Sequence, residues 1–287
     1  MSSQITTAFV EQYSNNVSML SQQKGSVLRD KVDSETVQGK NAFFEQIGSV
    51  AAVKRTSRHG DTPQLDTPHA RRRVSLVDYE YADLIDDQDK IRTLIDPTSS
   101  YALAAAYAMG RAMDDEIISA ATGTAFTGVS GGTSTALPGG QAITESGTDG
   151  LTIAKLRTAK RTFDLNSVDP SIKRYMVVSP RQIDDLLGTT SVTSADFNTV
   201  RALVTGEVNT FMGFEFIVSN RLSIASSKRL CFAYASDGIK LAVGKDVMSR
   251  IDERADKGYS TQIYYCASFG ATRIEEEKVV SIQAHEA

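Results

Sequence analysis

The chain has 287 residues, of which 41% are apolar, and a formal net charge of -4 at pH 7. This length allows one large domain or two ordinary ones, each with its own core. The negative charge excludes a global basic field for nucleic acid, and no apolar run approaches the roughly 18 residues of a membrane span. We therefore expect a soluble protein made in a reducing compartment, with Cys231 and Cys266 as buried free thiols.

The N-terminal segment, residues 1–46, is polar and contains only scattered apolar residues. Short helical patches are expected in it, around residues 8–20 for example. No apolar stripe in this segment is long enough to form an independent core. The pattern predicts an arm that lies on another surface.

A long two-stranded excursion follows the arm. Residues 47–57 and 72–81 have strand character, and Gly60, Pro63 and Pro68 favour turns between them. A connection of this length is uncommon inside a compact domain and usually has a function.

Charge changes sign along this part of the chain. Residues 51–75 carry a net charge of +4 and residues 78–96 a net charge of -5. Either both are solvated faces, or the basic segment reaches an acidic surface on a neighbouring copy. Under the second hypothesis, reversing Arg71–Arg73 blocks assembly and leaves folding nearly unchanged. The residues assigned to the contact are Arg55, Arg58, Arg71, Arg72, Arg73, Asp83, Asp86, Asp87, Asp89, Asp114, Asp115 and Glu116.

A long helix is predicted over residues 97–122. Asp96 can cap it, Pro97 suits its first position and Gly123 supplies a stop. The predicted apolar stripe carries Leu103, Tyr107, Met113 and Ile117.

The second half of the chain mixes strands and helices. After a Gly/Ser/Thr-rich loop at 124–150, residues 151–245 predict a mixed α/β module of ordinary domain size. It includes a strand at 175–178, a helix at 180–188, a helix near 197–204, a strand at 213–218 and two strands around a turn at Asp237-Gly238. The last strands, 260–269 and 273–283, flank a turn at Gly270, and we expect the long helix to cover them.

Recognisable catalytic patterns are missing from the sequence. No P-loop and no G-x-S-x-G motif occurs. His59 and His69 lie near Asp61 and Asp66, but their spacing matches no compact set of metal ligands. The sequence therefore predicts no catalytic, cofactor-binding or metal site, and a protein that is not an enzyme.

Three stretches resemble the major capsid proteins of tailed bacteriophages. They are KRTSRHGDTPQLDTPHARRRVSLVDYEYADLIDDQDKIRTLIDP at 54–97, YALAAAYAMGRAMDDEII at 101–118 and TFMGFEFIVSN at 210–220. The order of arm, excursion, long helix, inserted module and returning strands is similar to that of the same family.

The resemblance implies an α+β chain with the Hong Kong 97-like capsid fold. Its parts would be an N-terminal arm (1–46), an E-loop (47–82), a peripheral domain (83–150 with 246–287) and an axial domain (151–245). Copies would form hexamers and pentamers of an icosahedral shell around double-stranded DNA, assembled in the bacterial cytoplasm and located in the virion. The implied partners are other copies, a separate scaffolding protein, a portal, a decoration protein in some members, and DNA held by non-specific contact, with no membrane.

Three alternatives remain open from the sequence. An encapsulin-like compartment shares the fold but encloses an enzyme cargo. A DNA-binding protein could use the basic run at 54–73, although that run lacks a recognition helix and interleaved aromatic residues. An α/β enzyme is the third.

Overall fold

The computed structural model describes residues 22–58, 60–62, 64–86, 98–144, 149–188 and 210–286. Within these ranges the helices are α1 (Thr98–Thr122), α2 (Ile153–Leu165) and α3 (Pro180–Gly188). The strands are β1 (Asp33–Thr36), β2 (Asn41–Ile47), β3 (His69–Ser75), β4 (Val77–Ile85), β5 (Ala125–Thr127), β6 (Thr133–Thr135), β7 (Ala142–Ile143), β8 (Arg174–Val178), β9 (Thr210–Phe211), β10 (Phe214–Val218), β11 (Ile224–Ala225), β12 (Lys228–Ala235), β13 (Ile239–Arg254), β14 (Ser260–Arg273) and β15 (Val279–His285). No helix in these ranges is long and apolar enough to span a bilayer.

Helix α1 packs on a four-stranded sheet with the strand order β1-β13-β14-β4. The expected contact between this helix and the returning strand β14 is therefore confirmed. Leu103 was predicted in the apolar stripe but is 49% exposed. It lies two residues, or about 200° of helix rotation, from buried Ala105 and so on the opposite face. The buried stripe repeats every fourth residue: Ala105, Met109, Met113, Ile117 and Ala121.

A second sheet of seven strands has the order β7-β15-β12-β8-β10-β9, with β11 paired to β12. All five residues of β8 are buried, and β10 runs parallel to it. Helix α2 buries Leu156, Ala159 and Phe163, and the Phe163 ring lies 5.9 Å from that of Phe214 in β10. The predicted strands at 175–178 and 213–218 and the helix at 180–188 are confirmed to within one residue. The helix predicted near 197–204 lies outside the described residues.

A third sheet, β2-β3-β5-β6, contains the base of the predicted excursion. The second predicted strand, 72–81, is divided between β3 and β4, and β4 belongs to the four-stranded sheet. Strands β2 and β3 pair antiparallel from Asn41–Ser75 to Ile47–His69. The predicted strand at 47–57 is wrong, because the paired strand is 41–47 and residues 48–58 form no strand. Burial of Phe44 and Val74 in one small cluster fixes the pairing at this position.

Two predicted turns have a different role in the structure. Asp237-Gly238 does not close a hairpin, because β12 belongs to the seven-stranded sheet and β13 to the four-stranded sheet. Gly270 does not turn the chain but lies inside β14, where a Cβ atom would collide with the carbonyl oxygen of Ser75. The chain turns instead at Glu276–Lys278, before β15.

The predicted domain boundaries at 46/47, 82/83 and 245/246 fall inside β2, β4 and β13. Strand β15, assigned to the peripheral part, pairs with β12 of the axial part. The division into four parts therefore stays a prediction.

Both cysteines are free. Cys231 is buried in β12, and burial raises the pKa of its thiol to about 12. Cys266 is partly exposed in β14, so the expectation of burial holds for Cys231 alone. His59 lies outside the described residues, and no group of three or more potential metal ligands occurs among the residues that are described.

Candidate assembly surfaces

The connection between β2 and β3, here called the hairpin tip (residues 48–68), is exposed at every described position. It carries apolar side chains in water, among them Val50 and Val53, each 57% exposed, and Leu65. Ile47, at its base, is also exposed. Apolar side chains collected on one exposed segment indicate a surface that another molecule covers.

Two of the predicted contact arginines lie in the hairpin tip and two at its base. Arg55 donates from Nε to the carbonyl oxygen of Ser57 at 2.8 Å, and it also donates to the carbonyl oxygen of Arg58. Arg71 pairs with Glu45 across the hairpin at 2.7 Å. The Arg73 guanidinium lies 4.8 Å from the centroid of the Phe126 ring in β5. All four are at least partly exposed and could reach a neighbour.

Arg72 does not belong to this set, and its assignment as an inter-subunit contact is corrected. It is 6% exposed, pairs with the Glu276 carboxylate, and donates from Nε to the carbonyl oxygen of Ile274 at 2.8 Å. Gln46 of β2 donates to the same carbonyl oxygen. These bonds join the hairpin to the turn before β15. An Arg72→Glu substitution would place a second carboxylate beside Glu276 in a buried site and lower the stability of the fold by about 3–5 kcal/mol. The triple reversal of Arg71–Arg73 would therefore disturb folding.

Arg273 completes this junction at the C-terminal end of α1. Its side chain is fully buried and donates to the carbonyl oxygens of Ala121 at 3.1 Å and Gly123 at 2.8 Å. A cation at this end donates to helix carbonyls that have no partner within the helix, and it interacts favourably with the negative end of the helix dipole. Burial lowers the pKa of Arg273, and the nearby charge of Glu276 opposes that shift.

The acidic residues of α1 also have partners inside the subunit. Asp114 is fully buried, so its assignment to an inter-subunit contact is wrong. Asp115 forms a bidentate ion pair with Arg221, in which Arg221 Nε lies 2.5 Å from Asp115 Oδ1. Glu116 accepts a hydrogen bond from Tyr79, and burial, together with this bond, raises the pKa of the phenol.

The remaining predicted acidic residues follow β4. Asp83 is half-buried near Tyr81, and Asp86 is exposed and accepts a hydrogen bond from Ser260. Asp87 and Asp89 lie outside the described residues.

Asp114 anchors the segment 22–28, here called the clasp, to α1. Its carboxylate accepts hydrogen bonds from Gln23 Nε2 and Ser26 Oγ, both at 2.5 Å. It also accepts from the backbone amides of Val27 at 3.1 Å and Leu28 at 3.2 Å. Four donors on one carboxylate compensate its burial.

The clasp also needs a glycine in the helix. A Cβ atom on Gly110 would lie 2.5 Å from the carbonyl carbon of Gly25, closer than real Cβ contacts come. Arg111 donates to Gln22 Oε1 at 3.0 Å and to the carbonyl oxygen of Gln23 at 3.2 Å. Residues 22–28 of the predicted arm therefore lie on the long helix of their own chain, whereas β1 pairs with β13 and β2 with β3.

Sequence reasoning missed the roles of Gly110, Arg273 and Glu276. A signal for Arg72 was present: it lies two residues before buried Val74 and so on the same face of the strand. Glu276 and Arg273 gave no such signal, since their partners are about 200 and 150 residues away.

The sequence matches the phage capsid protein family over residues 5–286. The chain belongs to this family. No curated protein sequence matches it significantly.

Solved structures agree with the family. The capsid of cyanophage P-SCSP1u aligns with a TM-score of 0.74 at 18% identity, covering 99% of this chain and 95% of that one. The capsid of Ralstonia phage GP4 aligns with a TM-score of 0.74 at 11% identity, covering 98% of this chain and 96% of that one. The capsid of Helicobacter pylori bacteriophage KHP30 aligns with a TM-score of 0.74 at 10% identity, covering 99% of this chain and 97% of that one. At these identities the similarity shows the fold.

The predicted Hong Kong 97-like α+β fold is therefore confirmed for this capsid protein. Its location is the virion capsid, and its family implies a structural role. The encapsulin alternative is not favoured, because the family and the similar structures described here are phage capsids.

Proposed function

We propose that copies of this capsid protein associate as hexamers and pentamers into an icosahedral shell around the double-stranded DNA of a tailed bacteriophage. The observation that carries the proposal is the hairpin tip, exposed at each of its described positions, with its apolar and basic side chains. A neighbouring copy would remove this apolar surface from water, which stabilises association by about 25 cal/mol per Å². A purely structural role, without catalysis, follows from the same assignment.

Within this proposal the hairpin tip, corresponding to the E-loop, lies on the acidic end of a neighbour's β4. Arg55 and Arg58 would face Asp83 and Asp86, with Asp87 and Asp89 following in sequence. Such pairs fix the register of partners more than they add affinity. An exposed pair contributes about 0–1 kcal/mol, but every subunit boundary in a shell repeats it.

Other partners belong to the proposal as well. A separate scaffolding protein would guide assembly, a portal would occupy one vertex, and a decoration protein could bind the outer surface. DNA would be held by non-specific contact.

Charge reversal tests the register. Arg55→Glu with Arg58→Glu should leave the melting temperature unchanged, because both side chains are exposed, and should reduce the yield of shells. Adding Asp83→Arg and Asp86→Arg should restore part of that yield. A matched control, Lys24→Glu with Lys173→Glu, changes the charge equally at exposed sites outside the hairpin and should assemble normally. Normal assembly of the arginine variant would contradict the proposed register.

A further inference from the structure

Helix α2 presents three cations on one exposed face, here called the basic ridge: Arg157, Lys160 and Arg161. Their spacing of i, i+3 and i+4 places them on neighbouring turns of the same side. Among the described residues none of the three forms an ion pair or a side-chain hydrogen bond. Thus three positive charges face solvent together, and no carboxylate in the described part of the chain forms an ion pair with them.

The helix beneath the basic ridge is held rigidly. Thr152 caps its first turn by accepting a hydrogen bond from the Lys155 amide. Lys155 is buried and donates from Nζ to the carbonyl oxygens of Asp149 at 2.9 Å and Gly150 at 2.8 Å. Phe163 and Leu156 are fully buried on the opposite side of α2. A rigid element that presents unpaired cations is suited to hold an anion at a fixed position.

A groove of about 650 Å³ runs along the basic ridge, lined by all three cations and by Asp164. Asp164 is the acidic residue of this groove, and it pairs with Arg174 at 2.9 Å. The net charge of the side chains that line the groove is therefore positive. A second groove on an adjacent side of α2 shares Thr158, Arg161 and Leu165 with the first but also has Glu277 in its lining, which makes it less suited to an anion.

We propose that the basic ridge binds the sugar–phosphate backbone of double-stranded DNA. Phosphate contacts from arginine and lysine position a protein on a duplex without reading its sequence. This inference rests on the proposed function, because the DNA is the genome that the shell would enclose, and it assigns that contact to α2.

A second copy of the chain is the less favoured occupant, because its acidic residues at the end of β4, Asp83 and Asp86, are assigned to Arg55 and Arg58 of the hairpin tip. Many acidic side chains of the described chain are already paired within it. Examples are Asp115 with Arg221, Asp246 with Arg29, and Glu286 with Arg229. Leu165, exposed at the end of α2, is the feature that a protein partner would cover, and the test below includes it.

The salt dependence of DNA binding tests the inference. The full-length protein, kept below its assembly concentration, is titrated into a fluorescent DNA duplex of arbitrary sequence at several salt concentrations. Three phosphate contacts contribute a slope of about -2.7 to log affinity against log salt, equal to about 40-fold between about 50 mM and about 200 mM salt. The variant Arg157→Gln/Lys160→Gln/Arg161→Gln should lose that part of the slope and the corresponding affinity at low salt.

A control with the same charge change keeps the result specific. Lys24→Gln/Lys173→Gln/Arg250→Gln removes three exposed cations elsewhere and should change the slope by less than one unit. Equal slopes for the wild type and the ridge variant would overturn the inference.

Electron microscopy of the same variants separates the inference from the proposed function. If the ridge variant no longer forms shells, or if Leu165→Ser alone prevents assembly, the ridge is a contact between copies and the inference is wrong. If the wild type, co-expressed with its scaffolding protein, forms no shells at all, the proposed function fails, whatever the DNA result.

Discussion

Gly213 has a backbone φ of +88°, a left-handed conformation that β-branched residues rarely adopt. It follows Met212, whose φ is +54°, and the two residues connect β9 to β10. Two central residues with positive φ are typical of a type I′ hairpin turn. The positive φ explains why a glycine stands directly before the buried strand β10.

Replacing Gly213 with valine should destabilise the subunit by about 1–3 kcal/mol without touching any chemistry. Chemical denaturation of the dispersed protein measures this change. Gly213→Asn is the matched control, because asparagine tolerates the left-handed region, and it should cost much less. Equal stability of the valine variant and the wild type would show that the turn can adopt another conformation.

We predict that the carboxylate of Glu286 makes the stability of the folded subunit depend on pH. The Arg229 guanidinium is the main cause that lowers the pKa of Glu286 from 4.5 to about 2, and Ser179 and Gln182 also donate to it. Because the pKa of Glu286 is lowered in the folded state, its ionised carboxylate stabilises the fold. This contribution to the free energy of unfolding is complete above pH 4.5 and is lost as the pH falls towards about 2.

The Glu286→Gln variant tests that dependence. The stability difference between the wild type and Glu286→Gln should be largest at neutral pH and shrink between pH 4.5 and about 2. Urea denaturation at a series of pH values measures it. A difference that does not change over this range would mean that the ion pair with Arg229 contributes nothing to folding.

At the scale of elements, the clasp on α1 depends on a close approach of two backbones at Gly110 and Gly25. The variant Gly110→Ala should displace the clasp, because the added Cβ would meet backbone atoms that cannot rotate away. Lys24, exposed within the clasp, provides a tryptic site that reports on the displacement.

Cleavage after Lys24 should therefore be faster in Gly110→Ala than in the wild type when the protein is dispersed. Gly139→Ala is the control, since nothing lies within 4 Å of a Cβ at that position. The same cleavage rate in all three proteins would show that the clasp is not held by α1.

Elements with local signals were predicted well. Helix α1 starts one residue after its predicted first residue and ends at the predicted last one, Thr122, because an alanine-rich run and Gly123 are signals within the segment itself. Helix α3 and strands β8 and β10 were found in the same way, from a proline at the first helical position and from short apolar runs.

Pairings between distant segments were not predictable. Whether β12 and β13 form a hairpin or enter two sheets depends on the partner of β12, strand β15, which lies about 50 residues away in the sequence. The burial of Arg72 and Asp114 depends in the same way on Glu276 and on the clasp. A charge pattern along the sequence shows where charges are, but not whether the same chain already neutralises them.

At the scale of the whole molecule, the exposed hairpin tip gives the subunit a surface that its own fold does not use. The charges of the junction and the clasp are compensated inside the subunit, so the hairpin is held at its base and free at its tip. This arrangement fits a part that is completed only by a neighbour.

Electron microscopy of the purified full-length protein, co-expressed with its scaffolding protein if it needs one, tests this account most directly. We expect closed shells built from hexamers and pentamers, in which the hairpin tip of each copy lies on another copy. A protein that stays a compact monomer at every concentration, with its hairpin tip resistant to protease, would contradict it.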